Sequence, residues 1–196
     1  MTQHLLRYFT IALTAVGLVL GAFAPPAVAA DEEFSLTYFP HTDVMSDFGD
    51  DYGNGRSGGR SHQGNDIFGA KHSAVLAVAD GFVTAIDENY RSGYYVRITH
   101  RDGWESWYMH LNNDRPGTND GAGGPELAFA PELEVGMYVP AGTEIGYVGD
   151  SGNAEGGSSH THFELHHDGR VLNPYPYLIE AHKRWLRVMD LRDELR

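Results

Sequence analysis

Along most of this chain, apolar residues come in short runs of strand period punctuated by glycine, proline and acidic residues. Only near the end does the period lengthen to that of a helix. "AVLAVADGFVTAI", Ala74 to Ile86, is rich in small and β-branched residues and breaks at Asp80-Gly81, a turn or bulge between strands. "GYYVRITH" alternates, with Tyr95, Arg97 and Thr99 on one face and Tyr94, Val96 and Ile98 on the other. "WESWYMHL" follows across Asp102-Gly103, a hairpin signal, and "GMYVPAGTEIGYVGDSG" holds further short β runs. From Leu178 to Leu195, by contrast, Leu178, Trp185, Val188, Met189 and Leu191 recur near helical spacing amid charges. The pattern predicts a mainly β domain built on an antiparallel sheet, with one amphipathic C-terminal α-helix packed on it. Two glycine-rich stretches are expected to be loops, "DFGDDYGNGRSGGR" and the segment Asn112 to Glu134. The second exceeds the usual hairpin loop. Its acids Asp114, Asp120 and Glu126 lack the alternating spacing of a calcium loop, so they are expected to be solvated.

The first thirty residues follow another pattern. Arg7 precedes an apolar run from Tyr8 to Ala24, and "APPAVAA" ends in small residues, which predicts a secretory signal peptide over 1–30, cut after Ala29 or Ala30. The run is short for a bilayer span of about 20 residues, so no stable membrane insertion is expected after cleavage. At 196 residues the chain suits one domain. It carries 14 Lys and Arg against 27 Asp and Glu, a net charge of -13, and removal of Arg7 makes that one unit more negative. An acidic chain with no basic run is a poor binder of nucleic acid or anionic lipid. The absence of cysteine rules out disulfides, cysteine zinc sites and thiol nucleophiles, and leaves core packing and a bound metal as the sources of stability.

The candidate chemistry lies in the 11 histidines. In "GGSSHTHFELHHDG", His160 and His162 are two apart, so on an extended strand both project to one face with Thr161 opposite. In "GRSHQGND", His62 and Asp66 are four apart, on one side of a strand; Gly64 and Asn65 disfavour the helical alternative. His110 ends the aromatic run "WYMHL". His62, Asp66 and one of the His160/His162 pair would give three protein ligands with water completing a tetrahedron, the arrangement of a catalytic rather than a structural zinc. The two remaining imidazoles would be free to handle protons.

These residues resemble the lysostaphin-type (LytM-like) zinc metallopeptidases. "HQGND" is similar to their His-x-x-x-Asp motif, "YMHL" to their His-Leu segment and "HTHFEL" to their His-x-His strand, with weaker likeness from about Asp47 to Leu178. The resemblance implies metal ligands His62, Asp66 and His162, catalytic residues His110 and His160, and one zinc per chain. It implies an antiparallel β metallopeptidase domain with an open groove, and a peptidoglycan substrate cleaved in its peptide stems or cross-links. The organisation expected is a lead-in over 31–46, a peptidase domain over 47–178 with a loop insertion at 112–134, and a C-terminal helix over 179–196. An exported, monomeric enzyme, periplasmic or secreted to the cell wall, is the leading expectation. The alternative is a non-catalytic member of the same fold that binds and activates another cell-wall hydrolase. His41, His72, His100 and His182 show no partner pattern, and His166 is expected in the groove or on the surface.

Overall fold

A computed structural model describes residues 33–43 and 46–195; the predicted signal segment lies outside them. The strands are β1 (Gly55–Arg56), β2 (Arg60–Ser61), β3 (Asn65–Phe68), β4 (Ala74–Leu76), β5 (Gly81–Asn89), β6 (Gly93–Thr99), β7 (Trp104–Leu111), β8 (Tyr138–Val139), β9 (Glu144–Tyr147), β10 (His160–His167) and β11 (Arg170–Leu172). Helix α1 covers Tyr175–Glu194. Strands β11, β10, β7, β6, β5 and β8 lie in that order in one antiparallel sheet, and β3 joins it by pairing with the first half of β10. Strands β1 and β2 form one small ribbon, β4 and β9 another.

Strand alternation divides this sheet into a core face and an open face. Val83, Val96, Ile98, Tyr108, Phe163 and Leu165 are wholly buried on the core face, where burial of apolar surface drives folding. Tyr95, Arg97, Trp107, His162, Glu164 and His166 occupy the other parity, with Arg97 opposite Trp107 and Trp107 opposite Glu164 in register. The hairpin signal predicted at Asp102-Gly103 acts as expected, and Asp168-Gly169, which the sequence reading did not single out, turns β10 into β11 in the same way. Asp102 and Gly103 have φ of 54° and 74°, and Asp168 and Gly169 have 49° and 72°, the left-handed pairs that turn adjacent strands without splaying them.

Three details differ from the sequence expectations. Helix α1 starts at Tyr175, ahead of Leu178, because Pro174 and Pro176 suit a helix's first turn, where backbone N–H groups have no partner anyway. Leu178 and Ala181 are buried and Trp185 packs beside them, but Val188 and Leu191 of the predicted stripe are exposed, so the outer part of the helix leaves the core. In the segment 112–134, Asp114 is fully buried rather than solvated: its Oδ2 accepts from Lys71 Nζ at 2.5 Å and its Oδ1 from the Gly121 amide at 2.7 Å. Lys71 also donates to Asp150 at 2.8 Å and Asn119 at 2.5 Å. One ammonium therefore ties this long loop to the turn that follows β9. Among the described residues no helix is long and apolar enough to cross a membrane.

The segment before β1 contributes Phe34, Leu36 and Phe39 to the core, and behind them His41 is fully buried, its ring nitrogens 2.9 Å from Ser46 Oγ and 2.9 Å from Thr161 Oγ1. Burial pushes the His41 imidazole down to about 3, against the raising effect of Asp43. Its folded value lies below its unfolded one, so its contribution is complete above about pH 6.5 and is lost as pH falls toward 3. The expected slope is about 1.4 kcal/mol per pH unit for this one proton. A His41→Gln variant should be less stable at pH 7 yet lose less on going to pH 5. Equal losses in urea titrations of parent and variant would refute this.

Candidate metal centre and groove

Residues 62–64 lie between β2 and β3 with a bend at Gly64, so His62 and Asp66 do not share one strand as their spacing predicts. Gly64 makes this possible: a Cβ there would lie 2.3 Å from the Phe163 carbonyl oxygen and 2.9 Å from His162 Nε2. His162 sits directly opposite Asp66 in the β10–β3 register. Three ligand atoms converge as a result. His62 Nε2 lies 2.8 Å from His162 Nδ1 and 3.0 Å from Asp66 Oδ1, and His162 Nδ1 lies 2.8 Å from the same oxygen.

The surrounding acceptors show what this cluster suits. His62 Nδ1 is 3.0 Å from the Asp51 carbonyl oxygen, and His162 Nε2 is 3.1 Å from Glu164 Oε1. A carbonyl and a carboxylate only accept, so each neutral ring places its proton there and turns an unprotonated nitrogen toward the shared point. Once a metal displaces the proton shared with Asp66, two imidazole lone pairs and a carboxylate oxygen converge, a donor set fit for zinc. The electrostatics favour positive charge at this point. Burial disfavours a charged His162, but hydrogen bonds to Asp66 and Glu164, and their charges, outweigh it and push His162 up to about 9. Burial likewise raises the Asp66 carboxyl, but hydrogen bonds from His162 and His62 prevail and hold it far below the ordinary carboxylate range.

His160 and His110 stand beside the cluster. The His160 Nδ1 is 2.8 Å from the Ser158 carbonyl and that of His110 2.8 Å from the Ser151 carbonyl, so both rings donate there and present an unprotonated Nε2. Their centroids are 5.1 Å apart, and His160 Nε2 is 3.8 Å from Asp66 Oδ1. Burial lowers His110 to about 4, helped by the neighbouring His160 and His162. His110 reaches the groove through an irregularity. Between the pairs Tyr94–Leu111 and Val96–Tyr108, β7 has one residue more than β6, a bulge, and His110 takes φ of 60° within it. Met109 and His110 consequently both line the groove, which strict alternation forbids. Because glycine adopts this φ freely, His110→Gly is expected to be more stable than His110→Ala by about 1 kcal/mol, reversing the usual order in strands. Urea midpoints of the two variants measure it, and a more stable alanine variant would contradict the bulge's role.

The groove has a volume of about 450 Å³ and is lined by all five of these residues, together with Arg56, Arg60, Arg91, Trp107, Glu164 and His166. Sequence reasoning missed three supports. Glu164 was legible, since it shares the strand parity of His162. Asp51, and Arg56, whose Nη2 donates to Asp66 Oδ2 at 2.6 Å, carry no such signal because turns bring them in.

Comparison with known proteins fits this architecture. Residues 60–122 match the peptidase family M23 model, a span that includes His62, Asp66 and His110 and ends before His160. The murein hydrolase activator NlpD of Escherichia coli is 32% identical over 118 residues, 60% of this chain and 26% of that protein. The DD-carboxypeptidase/endopeptidase Mpg of Neisseria meningitidis is 30% identical over 115 residues, 59% of this chain and 22% of that protein. The chain thus spans about a quarter of the length of these relatives. Among solved structures, the catalytic domain of lysostaphin from Staphylococcus simulans aligns with a TM-score of 0.54 at 27% identity, covering 68% of this chain and 92% of that one. A putative glycyl-glycine endopeptidase lytM from Ruminococcus gnavus gives 0.60 at 27%, covering 76% and 61%. Sequence match and fold agree: residues 60–122 match the peptidase family M23 model, and the described residues are built on the fold of lysostaphin and the LytM-like peptidases.

Proposed function

We propose that the chain is an exported zinc endopeptidase that hydrolyses amide bonds in the peptide stems or cross-links of peptidoglycan. The observation that carries this reading is the convergence of His62 Nε2, Asp66 Oδ1 and His162 Nδ1, flanked by two imidazoles whose Nε2 atoms are free. His62, Asp66 and His162 would hold one zinc, which when bound supplies Lewis acidity to activate water and polarise the scissile carbonyl. His160 or His110 takes the proton as a water oxygen attacks that carbonyl. The ring so charged donates from Nε2, first to the developing oxyanion and then to the amine nitrogen as the C–N bond breaks. The Ser158 and Ser151 carbonyls hold the two rings in the tautomer this requires.

The names of the relatives support the substrate class: a DD-carboxypeptidase/endopeptidase, the antimicrobial peptidase lysostaphin and a murein hydrolase activator all bear on cell-wall peptides. The likeness to NlpD favours a second reading, a non-catalytic activator of another hydrolase. That reading gives no use to the free Nε2 atoms of His110 and His160. The test is incubation of the protein from Asp31 with purified peptidoglycan, with and without a zinc chelator, followed by mass spectrometry of released fragments. Chelator-sensitive release of peptides is expected. No release by folded, zinc-loaded protein from several wall types would replace the enzyme with the activator.

A further inference from the structure

We propose that the groove selects peptides bearing a free carboxylate near the scissile amide, bound by Arg60 and Arg91. This deepens the endopeptidase reading and rests on it.

The argument is one of charge left over. The groove lining carries three arginines, Arg56, Arg60 and Arg91, and two carboxylates, Asp66 and Glu164. Both carboxylates are engaged: Asp66 by His62, His162 and Arg56, and Glu164 between His162 at 3.1 Å and His166 at 2.7 Å. Arg56 is engaged too, on Asp66 at 2.6 Å and Asp51 at 3.5 Å. Arg60 uses only Nε, which donates to the Ser57 carbonyl at 3.2 Å, and its terminal nitrogens remain open. The Arg91 guanidinium has no hydrogen bond or ion pair among the described residues.

A chain with a net charge of -13 thus offers only positive unpaired charge along its groove. A planar guanidinium with open donors matches a carboxylate in two parallel hydrogen bonds. Among the described residues that line the groove, no acid is left unpaired to hold a substrate amine.

The backbones that carry the two arginines are also placed close to the chemistry. Arg60 precedes Ser61 and the ligand His62. The backbone of Arg91 is anchored by its amide donating to Asn89 Oδ1 at 3.0 Å and by its carbonyl accepting from the Asn153 amide at 3.2 Å. Its neighbour Ser92 accepts from the His110 amide at 2.8 Å. One arginine is therefore carried two residues before the first ligand and the other next to the residue that pairs with the His110 backbone, and both line the groove. Peptide cross-links with unamidated stems present carboxylates close to the bond, whereas the interior of a glycine bridge presents none.

The test uses the zinc-loaded protein and two purified cross-linked muropeptide dimers, identical except that the stem carboxylates are free in one and amidated in the other. The parent should favour the free acid in kcat/KM, and Arg91→Gln or Arg60→Gln should cut that preference by roughly tenfold, the effect of one charge-assisted hydrogen bond. The change should fall on KM and fade with added salt. Arg187→Gln, on the exposed outer part of α1, is the control and should leave the preference intact. No preference in the parent, or one unmoved in both arginine variants, overturns the proposal. Should neither dimer be cleaved, the endopeptidase reading fails, and calorimetric titration with the same dimers decides the proposal separately. Tighter binding of the free acid that Arg91→Gln abolishes would uphold it; equal binding of the two would sink it.

Discussion

Asp66→Ala is expected to abolish zinc binding and hydrolysis together, with the sharpest loss of any single substitution at the site. Three effects act in one direction. The variant lacks one of three ligands, and the lost ligand is the only one that carries negative charge. It also removes the nearer partner of Arg56, whose Nη2 rests 2.6 Å from Asp66 Oδ2 and 3.5 Å from Asp51 Oδ2, and so leaves that cation less compensated beside the metal site. His62→Ala removes a neutral ligand and leaves Asp66 with its arginine, so its zinc affinity should fall less. Glu164→Gln touches no ligand atom at the shared point. It weakens the acceptor that fixes the His162 tautomer, and a loss of zinc affinity of roughly 10- to 100-fold is expected. Hydrolysis by Asp66→Ala should drop by at least about a thousandfold, since the metal's contribution to the barrier disappears. Zinc measured by mass spectrometry after dialysis, beside a circular dichroism spectrum to establish folding, tests the order. A folded Asp66→Ala protein that retained one zinc per chain would refute the ligand set.

Much of this centre was legible in the sequence because strand geometry is periodic. The two-residue step from His160 to His162, continued to Glu164 and His166, places four polar side chains on the open face of β10 once that strand is recognised. The same periodicity sorted Tyr95, Arg97 and Thr99 from Val96 and Ile98. Periodicity fails where the chain departs from it. His110 faces the groove because of a bulge and a left-handed φ, which no alternation rule anticipates. His62 and Asp66 meet through a bend that only Gly64 permits, so their spacing suggested the partnership for a reason the fold does not use. Buried Asp114 was misjudged because its partner Lys71 is 43 residues away, and composition alone makes a glycine-rich acidic segment look solvated. Asp51 and Arg56 were invisible for the same cause: their roles come from tertiary contact, not from local pattern.

His160→Ala is expected to keep zinc and lose most turnover, by about 100- to 10,000-fold in kcat, the range for removing a positioned acid–base group. Its Nε2 is 3.8 Å from Asp66 Oδ1 and stands outside the converging triad, so the ligand set survives its loss. His110→Ala should behave in the same way. Burial holds His110 near 4, so it remains a neutral proton acceptor down through pH 5, and its protonation cannot set a fall in activity at higher pH. Activity should instead decline in acid as the ligand histidines take up protons and release metal. The acid limb of kcat/KM in His110→Ala should therefore lie where it does in the parent, at a lower plateau. With centroids 5.1 Å apart, the two rings serve the same small volume, so the double variant should lose less than the product of the single losses. If His160→Ala cleaved as fast as the parent, or came off dialysis without zinc, His160 would not be the group that moves the proton.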